Sequence, residues 1–376
     1  MRYRDFGKLG FKVSALGFGA MRLPEDQNGN VKRDAAVALI RAAVDAGVNY
    51  VDTAPLYNRD QSEEVVGEAL AGGRRERVWL STKNHRANDD GGDWRRRLEA
   101  SLTKLRTDYV DVYHMWGLSW KEFEEHLALK DGPLAAARRA QQEGLFRHLF
   151  FSFHAPPEDF FRLVDAGAFV GCTVQYNLID RRNEAGIAYA AEKGLAVAIM
   201  GPVGGGRLAG PSAAFEGLDV GARSTAELAL RFVLANANVA CALSGVSTEK
   251  QLHENLATAS RSEPLTAGEA AAVEAGLDEY RKLAESYCSA CDYCLPCPEN
   301  VPISRVLSLY TLARVYDLTE AATKLYAEIG KTGWFARMAN AAACTGCGEC
   351  VEKCPQGLDI VAELAAAHKA LADGND

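Results

Sequence analysis

No stretch of these 376 residues approaches the 18 or more consecutive apolar residues that would carry a helix across a bilayer, so no membrane span is expected. The first twenty residues hold lysine and arginine without a continuous apolar segment or a clear cleavage site, which argues against a secretory leader and for the cytoplasm. Positive charge is in deficit as well. Against 50 Asp and Glu stand 42 Lys and Arg, and the net charge of −8 disfavours nucleic acid as a partner. No Gly-x-Gly-x-x-Gly follows the first β-rich run, which weighs against an open, doubly wound nucleotide-binding sheet. Cysteine is nearly missing from the first three quarters of the chain. Only Cys172 and Cys241 occur there, both inside apolar strand-like runs where a thiol packs as a small hydrophobe.

The last quarter reverses that scarcity. Cys288, Cys291, Cys294 and Cys297 precede Pro298, and Cys344, Cys347, Cys350 and Cys354 precede Pro355. Each run spaces three thiols at intervals of three and adds a fourth before proline, the bacterial ferredoxin pattern for two 4Fe–4S clusters in which each fourth cysteine crosses to the other cluster. One cluster would take Cys288, Cys291, Cys294 and Cys354, and the other Cys344, Cys347, Cys350 and Cys297. Structural zinc fits less well, because four thiolates within ten residues suit a single tetrahedral ion poorly. Disulfides belong to exported chains. The 46 residues between Cys297 and Cys344 read as helical, so the motif is expected to be opened by a helical insertion.

Upstream, β-rich runs alternate with segments whose apolar residues recur at three and four. Strands are expected at 13–20, 49–54, 78–83, 109–116, 147–154, 171–177, 195–203 and 239–245, with helical stretches between them. Eight such repeats predict an α/β fold, a parallel (β/α)8 barrel whose active site lies at the C-terminal ends of the strands. The opening MRYRDFGKLGFKV reads as a hairpin that caps the bottom of the barrel. These patterns divide the chain into a barrel, 1–280, and a ferredoxin-like domain with a helical insertion, 281–376.

Three chemical side chains fall at expected strand ends: Asp52, Tyr57 and Lys83. A lysine ammonium favours the phenolate of a neighbouring tyrosine, and an aspartate fixes the lysine, so together they make a proton donor suited to carbonyl reduction. Taken singly, each would be an ordinary solvated surface group. Their convergence at one mouth of a barrel is what favours function.

With these residues the chain resembles the aldo-keto reductase family, in the branch that carries a C-terminal ferredoxin-like 4Fe–4S extension. The resemblance rests on GFGAMRLP, VDTAPLYN, WLSTKN, TDYVDVY, FSFH, VQYNLIDR, PVGGGRL and SGVSTEKQLHENL together with the two cysteine runs. It implies NADPH or NADH as cofactor, hydride transfer to a small-molecule substrate, and Asp52, Tyr57 and Lys83 as three of four catalytic residues. The fourth, a histidine, is replaced by Trp116. His114 lies two positions earlier, on the same barrel face but roughly 6–7 Å deeper, and His154 ends the fifth strand; each is a candidate for catalysis or for structural hydrogen bonding. The resemblance further implies that Ser152 and Gln175 meet the nicotinamide carboxamide, that Gly201, Val203, Gly206 and Arg207 follow the diphosphate, and that Gly245, Ser247, Gln251 and Asn255 meet the adenosine end. A flexible loop is the competing account of the glycine run. Met200, Phe153 and Gln251 depart from common family residues at the nicotinamide and adenosine positions. The loops after Trp116, after Arg207 and within 85–93 are expected to shape the substrate pocket. A ferredoxin-type electron donor or acceptor is the partner that the clusters suggest. Two other functions stay open on sequence: a cluster-driven reductase without hydride transfer, and a non-catalytic electron-transfer subunit.

Overall fold

The computed structural model describes residues 1–85, 90–218, 220–261, 263–285, 288, 293–331, 335–354 and 357–372. Cys291 and Pro355 of the cysteine pattern, and residues 86–89 of the expected pocket loop 85–93, lie outside the described residues. The chain divides into two compact units, one of Met1–Gly205 with Ala229–Pro264, the other of Gly206–Leu228 with Leu265–Asp376.

The first unit opens with an antiparallel hairpin, β1 (Tyr3–Asp5) and β2 (Lys12–Ser14), registered Tyr3 to Ser14 and Asp5 to Lys12. Eight parallel strands follow: β3 (Leu16–Gly19), β4 (Tyr50–Asp52), β5 (Trp79–His85), β6 (Val110–Trp116), β7 (Phe146–Phe153), β8 (Gly171–Gln175), β9 (Ala196–Met200) and β10 (Cys241–Ser244). They close in the order β10-β3-β4-β5-β6-β7-β8-β9, the barrel expected from the sequence. Several strands are shorter than their sequence runs, 195–203 ending at Met200 and 49–54 at Asp52, and one run is divided. The run read as a strand at 13–20 is split, because Ser14 still pairs in the hairpin, and its hydroxyl turns to the carbonyl of Leu16 at 2.7 Å while its N–H goes to Asn49 Oδ1 at 2.6 Å.

Helices alternate with the barrel strands because their apolar residues repeat at the helical period. Arg33–Asp45, for example, buries Ala36, Val37, Leu39, Ile40, Ala43 and Val44, one face presented at i, i+3, i+4 and i+7. Strand alternation is equally plain in β7. Phe150 turns inward to join Phe6, Tyr50 and Val112 in the barrel core, whereas Phe151 and Phe153 turn outward onto Phe160 of helix Pro157–Asp165, at 5.5 and 5.0 Å between ring centroids. The hairpin plugs the bottom, as its sequence suggested. Phe6 meets Tyr50 and Phe150 edgewise or tilted at 5.3 and 5.5 Å, and Phe11 stacks on Trp79 at 3.6 Å. Full burial of a ring such as Phe6 is worth about 1.5–3 kcal/mol, so the closed bottom leaves chemistry to the other end.

The second unit is helical among its described residues: Ala267–Glu285, Ile303–Tyr316, Thr319–Ala327 and Ile360–Ala372 are its long helices. Asp317, with φ +49°, ends the second of these, and the chain reverses into the third. Gly206–Leu228 groups with this unit for a physical reason. The Ser212 hydroxyl donates to the carbonyl of Tyr316 at 2.6 Å, and Phe215 stacks on the Tyr316 ring at 5.9 Å. Among the described residues no helix is long and apolar enough to cross a membrane.

Candidate functional site

Successive inward positions build the upper barrel in layers. Above the aromatic floor lies a polar layer of Asp52, Ser81, His114 and Thr173, all buried. Higher still, toward the strands' C-terminal ends, come Lys83, Trp116, Ser152 and Gln175, each two residues on from a member of the layer below or of the floor.

Lys83 is the centre of the site. Its ammonium donates to Asp52 Oδ1 at 2.5 Å and to the carbonyl of Thr53 at 2.8 Å, and it lies 5.0 Å from the centroid of the Tyr57 ring. Burial pulls an ammonium's pKa down, but the Asp52 charge, with Tyr57 beside it, reverses the balance, and Lys83 is held above its ordinary value and stays charged. Tyr57 departs from the sequence expectation. Lys83 does favour its phenolate, yet burial raises the phenol and Asp52 adds to the rise, so the net direction is upward. Tyr57 therefore holds its proton at neutral pH. The structure brings Asp52, Tyr57 and Lys83 together from the ends of β4 and β5 and the loop between them.

Trp116 completes the rim. Its indole meets Tyr57 edge to face, with centroids 5.8 Å apart and planes at 86°, and also lines a cleft with Asn84, Trp94, Met115, Leu118, Leu127 and Pro133. His114 is wholly buried a layer below, bonded to Thr173 on β8 across the barrel interior, and burial followed by the Lys83 charge pushes its pKa well below the usual range. His154 is exposed at the end of β7, with its pKa lowered by the protein around it and by Lys83.

Most of the residues carried over for a nucleotide lie in the first unit, at or just beyond the C-terminal ends of its strands. Ser152 is buried, and its hydroxyl oxygen already accepts the N–H of Gly117 at 2.9 Å, leaving one O–H to donate. Gln175 packs against Gly201, whose φ of +62° and closeness to the Gln175 amide (2.6 Å from where a Cβ would stand) leave room for glycine alone. Asn177, unmarked in the sequence reading, donates to the Gly201 carbonyl at 2.9 Å and holds this turn. Val203 is half-buried. Around Gly205 a Cβ would meet only Arg22, whose guanidinium donates to the Gly205 carbonyl at 2.8 Å. An open glycine turn beside a guanidinium fits a diphosphate. Arg22 was missed because only the fold joins it to a turn 183 residues away. Gly245 presses on the Arg22 stem, and Ser247 donates its hydroxyl to the Arg22 carbonyl at 2.9 Å. Gln251 accepts the Ser247 N–H at 2.8 Å, and Asn255 donates to Ser244 at 3.0 Å. Gly206 and Arg207 fall in the second unit. Phe153 points outward into the aromatic layer, so its departure from the family residue lies away from the barrel mouth.

In the second unit Cys350 is buried, which raises its thiol first, and Cys344, Cys347 and Cys297 raise it further as neighbouring charges. These four are the set that the crossed ferredoxin pattern assigns to one cluster. Gly346 and Gly348, with φ +72° and +80°, let the backbone curl between the three later thiols. Among the described residues no group of three His, Cys, Asp or Glu side chains converges on a single metal ion. Cys288, Cys294 and Cys354 are described in the same unit, while Cys291 is not. Cys172 and Cys241 are fully buried, and burial pushes both thiols far up, keeping them inert packing groups.

Comparison with known proteins bears on both units. Residues 15–278 match the model for the aldo/keto reductase family, and residues 287–358 match a 4Fe-4S dicluster domain. An uncharacterised oxidoreductase of Bacillus subtilis is 30% identical over 293 residues, covering 69% of this chain and 91% of the relative. An L-galactose dehydrogenase of Arabidopsis thaliana is 29% identical over 291 residues, covering 70% and 89%. Among solved structures, the holo form of an aldo-keto reductase from Bacillus halodurans is 27% identical with a TM-score of 0.62, covering 73% of this chain and 96% of that one. An aldo/keto reductase from Klebsiella pneumoniae in complex with NADP and acetate is 25% identical with a TM-score of 0.59, covering 72% and 93%.

Proposed function

The chain belongs to the aldo/keto reductase family, and we propose that its barrel reduces a carbonyl or conjugated small molecule with NADPH or NADH while its C-terminal region holds two 4Fe–4S clusters. The observation that carries this reading is the buried Asp52–Lys83 pair set 5.0 Å beneath the ring of a protonated Tyr57.

Ser152 and Gln175 would hold the nicotinamide, and Gly201, Val203 and Gly205 with Arg22 would follow the diphosphate; Gly245, Ser247, Gln251 and Asn255 would meet the adenosine end. When bound, the reduced nicotinamide would supply a hydride, one proton with two electrons, to the carbonyl carbon. Tyr57 gives its phenolic proton to the carbonyl oxygen, which completes an alcohol. The phenolate left behind is stabilised by the Lys83 ammonium, and Asp52 keeps that ammonium charged and in place. Trp116 offers one N–H and no basic nitrogen, so it cannot shuttle a proton as a histidine does. Its flat face instead suits a planar or conjugated substrate. The eight thiols would hold the clusters, whose chemistry would be single-electron transfer, with a ferredoxin-type protein as donor or acceptor.

Trp116 also favours a second reading, a reductase driven by the clusters without hydride. Anaerobic titration of the cluster-loaded chain with NADPH and NADH separates the two, with nucleotide fluorescence and cluster absorbance followed together. Saturable nucleotide binding with consumption of NAD(P)H on adding a carbonyl supports hydride transfer. Absence of nucleotide binding, with substrate reduced only by a low-potential electron donor, overturns it.

A further inference from the structure

His114 sits one layer beneath the proposed reducing site, with its ring edge-on to Phe150 at 5.4 Å. Its Nδ1 lies 3.3 Å from Ser81 Oγ and 3.3 Å from the carbonyl of Thr82, and its Nε2 lies 2.8 Å from Thr173 Oγ1 on β8. Ser81 in turn donates to Asp52 Oδ2 at 2.8 Å, opposite the oxygen that takes Lys83.

The partners assign the hydrogens. A carbonyl only accepts, so the nitrogen facing Thr82 carries the hydrogen, shared at long range with Ser81 in a three-centre arrangement. Ser81 has one hydroxyl proton, and the Asp52 carboxylate takes it, so the serine oxygen faces Nδ1 as an acceptor. In a neutral imidazole Nε2 must then accept, and Thr173 is the donor. Burial first, and the Lys83 charge second, keep the imidazole neutral. Every donor points the same way: Thr173 to His114, His114 to Ser81, Ser81 to Asp52. Tyr50 and Cys241 are the other titratable groups near Asp52 in this layer, and burial keeps both protonated.

We propose that His114 is a positioning residue of the reducing site: its Nδ1–H tautomer fixes the Ser81 hydroxyl on Asp52 and thereby aligns the carboxylate that holds Lys83 against Tyr57. The proposal rests on the reading of Asp52, Tyr57 and Lys83 as the proton-donating group, but its test reads His114 directly. In nitrogen-15 NMR of the full, cluster-loaded chain labelled at histidine, the expected His114 signature is a protonated Nδ1, an unprotonated Nε2 and no titration between pH 5.5 and 8.5. An Nε2–H tautomer, or titration in that range, overturns it. Crystal structures of His114→Phe and His114→Asn supply the second arm. Phenylalanine keeps the ring and loses both nitrogens, and asparagine restores an N–H near Nδ1. The Ser81 hydroxyl should leave Asp52 in His114→Phe and stay on it in His114→Asn. An unmoved Ser81 in His114→Phe would reduce His114 to packing and overturn the proposal. Should that variant fail to fold, the histidine spectrum of the unaltered chain still decides. Failure of the reductase reading looks different: Tyr57→Phe turns over normally while the His114 tautomer stands.

Discussion

The two units gather their functional groups by different routes. In the barrel, Asp52 and Lys83 come from separate strands 31 residues apart, and their ion pair exists only because β4 and β5 lie side by side in one register. In the second unit Cys344, Cys347 and Cys350 come from one short stretch, shaped by glycines, and only Cys297 is brought in from a distance. A barrel site thus depends on the packing of the whole sheet, whereas a cluster site depends on local backbone and on the inorganic core its thiols grip. Substitutions in the first should alter chemistry and leave the clusters alone. Substitutions in the second should remove iron and leave nucleotide binding alone.

The largest effect should come from Tyr57→Phe, which deletes the acid and little else. Turnover of a carbonyl substrate should fall by about 10²–10⁴-fold, with nucleotide affinity and iron content unchanged. Steady-state kinetics beside fluorescence titration checks it, and near-normal turnover would refute the phenol as proton donor. Cys297→Ser makes the converse cut. Iron should drop from about eight atoms per chain toward about four, and cluster-cluster coupling in the EPR spectrum of the reduced protein should vanish, while the barrel still binds nucleotide. Loss of nucleotide binding in that variant would break the comparison and tie the two units into one functional device. Trp116→His should raise activity toward simple aldehydes about tenfold, by returning an imidazole donor beside Tyr57. No gain on any aldehyde, in a folded and cluster-loaded variant, would show that the indole is not what redirects the site.

The smallest effect is one of pH on the scaffold. Glu63 is buried between its helix and β5, where it accepts a hydrogen bond from Thr82 at 2.7 Å, and burial raises its pKa above the ordinary value. The sign follows from linkage. A carboxyl raised in the fold contributes stability that is fully present below its unfolded pKa and is lost as pH rises through the folded value. Glu63→Gln keeps a neutral acceptor for Thr82 and escapes that loss. The variant's gain in Tm over the natural chain should grow from pH 5 to pH 8, and a gain independent of pH would show that the carboxyl's charge has no part in it.

Much of this molecule was written locally. Alternation in β7 sorted Phe150 from Phe151 and Phe153, and the helical period marked the buried face of Arg33–Asp45, because both patterns depend only on backbone geometry. The cysteine spacing likewise grouped Cys297 with Cys344, Cys347 and Cys350 before any coordinates, and the fold sets the other three near enough to Cys350 to act on its thiol. Asp52, Tyr57 and Lys83 could be picked out by their places at strand ends. What sequence could not decide was the balance of opposing effects and the identity of distant partners. The Tyr57 phenol feels Lys83, as expected, but burial outweighs it, and burial is a property of the assembled barrel. Arg22 reaches Gly205 only after the first and seventh barrel strands close on either side of β10. His114, ambiguous as a letter in a strand, acquires a tautomer and a direction from Thr173, Thr82 and Ser81, which lie on two other strands. Local spacing set the elements and the thiol sets; closure of the barrel, which removes water and joins strands from across the chain, set the charges and the hydrogen-bond order within it.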